Sequence, residues 1–162
     1  MNKQDLNVYL LSNGAEDNKG NPVSKEAFKM LKEQNFKGFK GNLEARYVVN
    51  SDADVVVCGG YEGNVLLKSM EGTVKFLKTV LKRAFTKSLK TKMGYLLVKK
   101  SLNEEMDVIN YKNYGGALLM GVNGIAVKAH GSSDAYSFMK ALELAYEMVK
   151  DDVLNNMKKE LI

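Results

Sequence analysis

A chain of 162 residues, 45% hydrophobic and 27% charged, has the make-up of a globular domain and enough length to bury a core. One cysteine and one histidine exclude a disulfide framework and a Cys/His zinc centre, so a reducing cytoplasm is expected, with no metal. The net charge of +5 is unevenly placed: nine basic and no acidic residues fall between Thr73 and Lys100, which leaves 15 basic against 19 acidic elsewhere.

Asn7–Leu11 (NVYLL) reads as a strand, followed by a polar loop to Pro22. Ser24 is a candidate N-cap for a helix to about Gln34, with Ala27, Met30 and Leu31 as its apolar face and Phe28 beside it. Phe36–Lys40 suits a short strand, and Gly41–Arg46 a turn. Val55, Val56, Val57 and Cys58 form an apolar run of the kind buried on both faces of a parallel sheet, with Cys58 inside it as a small hydrophobe. Three glycines within Gly59–Asn64 separate it from a helix beginning near Asn64 and continuing through Val74, Leu77, Leu81, Ala84 and Phe85. A second helical segment carries Leu89, Met93, Leu96 and Leu97, with Gly94 as a weak point, and residues 102–107 read as a polar loop. Ala117–Met120 and Ile125–Ala129 flank Asn123-Gly124, a type I′ hairpin signal. The last helix is expected from about Ser133 to Met148 or beyond, burying Phe138, Leu142, Ala145 and Val149. This β-α-β order argues for parallel crossovers. No apolar run reaches the twenty residues a membrane span needs, and MNKQDLNVYLL lacks the features of a signal peptide.

Three polar loops follow expected strand ends: Gly14–Asn21, Gly59–Asn64 and His130–Asp134. Open α/β sheets bind ligands beyond the carboxyl ends of their strands, and glycine turns entering helices aim N–H groups at anions. Together the loops offer Lys19, Asn64, His130, Ser132 and Ser133, a set suited to phosphate. Each has a plainer reading. Strand–glycine–helix turns mostly just connect elements. Lys19 reads equally as a solvated loop lysine, His130 as a structural histidine, and one of the serines as the N-cap of the last helix. Glu62 suits the helix dipole but opposes a bound phosphate. No Ser–His–Asp assignment is warranted, because a triad is defined by geometry. The basic stretch fits an anionic lipid surface or an acidic protein partner, or is the solvated face of a long helix. A net-acidic remainder and the lack of interleaved aromatics disfavour nucleic acid.

Four stretches in one order, VYLLSNGAEDNKGN (Val8–Asn21), FKGNLEAR (Phe39–Arg46), DVVVCGGYEGNVLLKSMEGTVKFL (Asp54–Leu77) and YGGALLMGVNGIAVKAHGSSDAYSF (Tyr114–Phe138), resemble the C-terminal half of the bacterial phosphate acyltransferases of fatty acid and phospholipid synthesis (the PlsX family). The resemblance implies a three-layer α/β/α fold similar to isocitrate dehydrogenases and phosphotransacetylases, with a mostly parallel sheet, an antiparallel hairpin and an incomplete N-terminus. It makes residues 1–162 the C-terminal portion of that domain, with residues 73–100 as its projecting basic helices. It further implies acyl transfer from an acyl carrier protein thioester to inorganic phosphate without a cofactor. The protein would be a homodimer, cytoplasmic and peripheral at an anionic membrane surface, where a glycerol-3-phosphate acyltransferase uses the product. By the same resemblance Lys19, His130 and Asn64 are catalytic. Glu16, Gly20, Asn21, Asn42, Glu44, Gly60, Gly63, Lys68, Lys128, Ser132 and Ser133 would bind substrate, in motifs that also hold Gly115, Gly116 and Gly131. Lys78, Lys82, Arg83 and Lys87 would meet membrane or carrier protein. Gly59 stands where that family usually has Asp, Leu118 where Pro is usual, and the family's N-terminal half has no counterpart, which makes a piece of a longer protein or a degenerate copy the expected readings. The alternatives are a non-catalytic membrane- or carrier-protein-binding module derived from that family, or a phosphotransacetylase-like enzyme using coenzyme A thioesters.

Overall fold

The structure, a computed structural model, describes residues 5–160. It is α/β, and its contacts divide the chain after Thr79 into two units, each taken by itself below.

The first unit holds strand β1 (Val8–Ser12), helix α1 (Pro22–Glu33), strand β2 (Phe39–Glu44), strand β3 (Val55–Val57) and most of helix α2 (Gly60–Thr86). Its sheet is parallel in the order β2-β1-β3, with Leu10 opposite both Asn42 and Val57. Parallel neighbours require crossover connections, and α1 supplies the one between β1 and β2. Leu10, Leu43 and Phe28 are buried, and Phe28 meets Phe39 edge to face with ring centroids 5.3 Å apart. At one side of the sheet Tyr9 Oη donates to Asp52 Oδ1 at 3.0 Å. Burial first, and then that carboxylate, push the Tyr9 phenol above its ordinary value.

Several local expectations are corrected here. Asn21, not Ser24, caps α1: its Oδ1 accepts from the Ser24 N–H at 2.9 Å, and Pro22 opens the helix. β2 spans Phe39–Glu44 rather than Phe36–Lys40, because the Phe36 N–H closes onto Leu31 O at the end of α1. The register then shifts opposite Val8 and Tyr9, and Gly41, at φ +108°, takes this irregularity inside the strand instead of forming a turn. β3 is not buried on both faces: Val55 and Val57, which share one face, are 40% and 47% exposed, and among the described residues β3 pairs only with β1. Cys58 is accordingly exposed. α2 begins at Gly60, four residues earlier than expected, so most of the glycine turn is the helix's own first turn.

In the second unit, the end of α2 leads to helix α3 (Leu89–Val108), then strands β4 (Gly116–Leu118) and β5 (Val127–Ala129), and helices α4 (Ala135–Lys150) and α5 (Val153–Glu160). Ser88 and Thr91 form a capping box at the start of α3, each side chain accepting from the other's N–H. α3 runs straight through residues 102–107, because Leu102, Glu104, Glu105 and Met106 are good helix formers with no Gly or Pro among them. β4 and β5 pair antiparallel, Leu118 opposite Val127, but the connection spans Leu119–Ala126 rather than two residues. A type I′ turn needs positive φ at both central positions; in this loop Gly121 takes it, at +83°, and Asn123 and Gly124 do not.

Asp134, not Ser133, caps α4, with Oδ1 accepting from the Ser137 N–H at 3.0 Å. The face α4 buries is also displaced. Ser137 and Ala141 are buried, whereas Phe138, Leu142 and Val149 are 54%, 57% and 64% exposed. The reason is close approach. A Cβ placed on Gly115, at φ +71°, would lie 2.4 Å from the Lys140 carbonyl carbon and 2.5 Å from Ala141 N. Only small side chains fit where two backbones come this near. Among the described residues no helix is long and apolar enough to cross a membrane.

Candidate functional site

The loop that leaves β1 is held by its own backbone and from below. The Gly20 N–H donates to Asn13 Oδ1 at 2.9 Å, and the Lys19 N–H to Glu16 O at 3.0 Å. Asn42 on β2 donates its Nδ2 to Glu16 O at 2.8 Å. Asn42 is 7% exposed, and its Oδ1 is buried without a hydrogen-bond partner, so this amide serves as a loop anchor. Lys19 is half-buried, its stem passing close to Gly14, and it is not among the residues that line the cleft described next.

Beyond the carboxyl ends of β1 and β3 lies an open cleft of about 1160 Å³ between α1 and α2. Leu10 and Val57 form its floor, and Val23, Ala27, Val65 and Leu66 its apolar sides. Asn13, Gly20, Asn21, Cys58, Gly59 and Glu62 make a polar rim. Glu62 keeps its carboxylate on this rim, where it still opposes a bound phosphate. Its carboxylate folds back over Gly59, where a Cβ would meet Oε2 at 2.3 Å, and Oε1 accepts from Asn21 Nδ2 at 3.0 Å. There it suits the positive end of α2 and ties that helix's first turn to the cap of α1.

Gly20 and Asn21 therefore reach the cleft together. Asn64 and Lys68 lie on α2 but do not line it. At about 100° per residue they sit on another flank from Glu62, Val65 and Ser69, and Lys68 pairs with Glu71 at 2.8 Å. Gly60 is in the first turn of α2, and Gly63 packs over Cys58, whose Sγ would lie 2.7 Å from an added Cβ. Glu16 supplies the carbonyl that Asn42 holds, and its side chain is exposed. Glu44 ends β2 in an ion pair with Arg46 at 2.9 Å. Sequence reasoning missed Asn13, Ser24, Cys58, Tyr61 and Ser69 as cleft residues. Asn13 and Cys58 follow strand ends and were open to discovery; the others needed the cleft that α1 and α2 border.

In the second unit the His130 turn closes with the Ser133 N–H donating to His130 O at 3.0 Å. His130 Nδ1 accepts from the Ser132 N–H at 3.1 Å, with Ser132 Oγ at 2.8 Å. In the neutral ring that leaves the proton on Nε2, as a donor. Ser133 Oγ is buried without a partner, and Gly131 has open space about it. Lys128 is exposed on β5 opposite Ala117. Gly115 and Gly116 serve packing, against α4 and against Lys128 O respectively. Lys78, Lys82, Arg83 and Lys87 are exposed along α2 and its end. Near them Phe76 is 68% exposed, and on α3 Leu96 and Leu97 are 71% and 87% exposed. Phe85 and Tyr95, ring centroids 5.2 Å apart, join the end of α2 to α3. Among the described residues no group of three or more His, Cys, Asp or Glu side chains is arranged to hold a metal ion.

A family model described as "Fatty acid synthesis protein" matches residues 1–156. The chain is 45% identical over 154 residues to a phosphate acyltransferase of Geobacillus thermodenitrificans, covering 95% of this chain and 47% of that protein. It is 44% identical to the phosphate acyltransferase of Clostridium botulinum (94% and 46% covered) and 41% identical to that of Macrococcus caseolyticus (95% and 47%). The chain thus spans about half the length of the curated relatives it matches. With a match this long and identities this high, the chain belongs to the fatty acid synthesis protein family.

Proposed function

We propose that this chain takes part in transferring a fatty acyl group from an acyl carrier protein thioester to inorganic phosphate, giving an acyl-phosphate for phospholipid synthesis. The observation that carries this reading is the cleft at the carboxyl ends of parallel strands, lined mostly by apolar side chains with Asn13, Asn21 and Glu62 at its rim, in a chain whose relatives are named phosphate acyltransferases. In the reaction a phosphate oxygen forms a bond to the acyl carbon, the C–S bond breaks, and the departing thiolate takes a proton. Lys19 holds the phosphate's charge, and the His130 Nε2–H serves the developing oxyanion or the leaving thiolate. Asn64 and the remaining substrate-binding positions belong to the same reading, although Asn64 and Lys68 lie on another flank of α2 from the cleft. The partners that follow are acyl carrier protein, a glycerol-3-phosphate acyltransferase that consumes the product, and a second copy of the chain.

The test is to incubate the chain with acyl carrier protein thioester and phosphate, alone and with the N-terminal portion of a relative. Acyl-phosphate is then trapped with hydroxylamine. Phosphate-dependent hydroxamate is expected, and its absence in both arms sinks the proposal. Competition between carrier-protein and coenzyme A thioesters separates a phosphotransacetylase-like activity.

A second reading rests on the exposed Phe76, Leu96 and Leu97 among the lysines of α2 and α3. It makes the chain a non-catalytic module at an anionic membrane surface or on acidic carrier protein. Salt-sensitive binding to anionic vesicles without any acyl transfer favours it.

A further inference from the structure

We propose that Ser132 is a positioning residue for His130, fixing which ring nitrogen carries the proton and which way the ring faces; this deepens the acyl-transfer reading and rests on it. Two groups of Ser132 converge on one atom. Its N–H donates to His130 Nδ1 at 3.1 Å, and its Oγ lies 2.8 Å from the same nitrogen. An N–H can donate only to a bare ring nitrogen, so Nδ1 carries no proton while that bond stands. The Ser132 hydroxyl is then a donor as well, and its single proton is committed to the ring. A half-turn of the ring about the Cβ–Cγ bond would bring Cδ2–H to face both donors and leave them unmatched. One residue thus holds tautomer and orientation together, with Nε2–H as the proton that His130 presents. The turn that carries the pair is itself anchored. The Ser133 N–H donates to His130 O at 3.0 Å, and Asp134 Oδ1 accepts from both the N–H and the Oγ of Ser137, a buried residue of α4. Ser132 therefore leaves the set of substrate contacts, because its polar groups serve the residue that meets the substrate.

His130 is the only histidine, so its ring gives the only imidazole signals in a nitrogen NMR spectrum of the isotope-labelled chain. The spectrum is recorded at pH about 8.5, where histidine is ordinarily neutral. The parent chain shows one tautomer, with Nδ1 bare and Nε2 protonated. Ser132→Ala, at an exposed position without positive φ, shows both tautomers in exchange. Ser132→Thr, which keeps the hydroxyl, returns to one. In the hydroxamate assay with the N-terminal portion of a relative, Ser132→Ala lowers kcat about three- to tenfold, the size of one net hydrogen bond. It leaves KM for phosphate and thioester unchanged, and Ser132→Thr restores kcat. Mixed tautomers in the parent, an alanine spectrum like the parent's, or an unchanged kcat overturns the proposal. So does a raised KM at unchanged kcat, which makes Ser132 a substrate contact. If no chain forms hydroxamate while the tautomers behave as stated, the hold of Ser132 on the ring stands and the transferase reading falls.

Discussion

Gly115→Ala tests the packing of α4 most directly. Gly115 sits at φ +71°, and an added Cβ would lie 2.4–2.6 Å from three backbone atoms of Lys140 and Ala141. Backbone of a long helix cannot rotate away as a side chain does, so α4 must move about 1 Å to restore ordinary 3.5–4.0 Å carbon contacts. Holding alanine in the left-handed region costs about 1–2 kcal/mol, and overpacking adds about 1–3 kcal/mol. Together they give a loss of roughly 2–5 kcal/mol, a large share of the stability of an ordinary domain. With a urea m-value of about 2 kcal/mol/M, the midpoint falls by about 1–2.5 M. Gly124→Ala is the control, since nothing lies within 4 Å of its added Cβ, and it should stay within about 0.5 kcal/mol. Urea unfolding followed by far-UV circular dichroism compares the two. Equal midpoints refute the close-approach account of the Gly115-Gly116 motif.

Asn42→Ala removes the donor that holds Glu16 O at 2.8 Å and should weaken the β1–α1 loop by about 1–3 kcal/mol; hydrogen exchange at the Lys19 and Gly20 amides reads it, and unchanged protection counts against the anchor. The raised Tyr9 ionisation stabilises the fold fully below pH about 10, the ordinary tyrosine value, and that contribution is lost as pH climbs through the raised native value. A phenolate difference titration against Tyr9→Phe measures it. Asp52→Asn should lower the value only in part, because burial, the first of its causes, remains. Reversing Lys78, Lys82 and Lys87 to Glu should cost about 1 kcal/mol of anionic-vesicle affinity for each lysine removed, by vesicle sedimentation. Unchanged binding removes α2 from any membrane contact.

The chain's own pattern determined the order of its strands and main helices, the loops after β1 and β5, and the family. These are local signals: turn residues at fixed spacing, periods of two and 3.6, and motifs in one order. What lay beyond it was which faces are covered. The valines of β3 read as doubly buried, but burial depends on what covers each face, and the face of Val55 and Val57 is left open among the described residues. Phe138, Leu142 and Val149 form a good apolar stripe, yet α4 packs through Ser137 and Ala141 because Gly115 brings a second backbone up against it. The glycines after β3 read as a turn, although most of them open α2. The bond from Asn21 to Glu62, 41 positions apart in sequence, was likewise out of reach of any local pattern. Spacing along a chain fixes which residues share a face of one element. Only the meeting of elements fixes which of those faces is buried, and which side chains distant in sequence come to line one cleft.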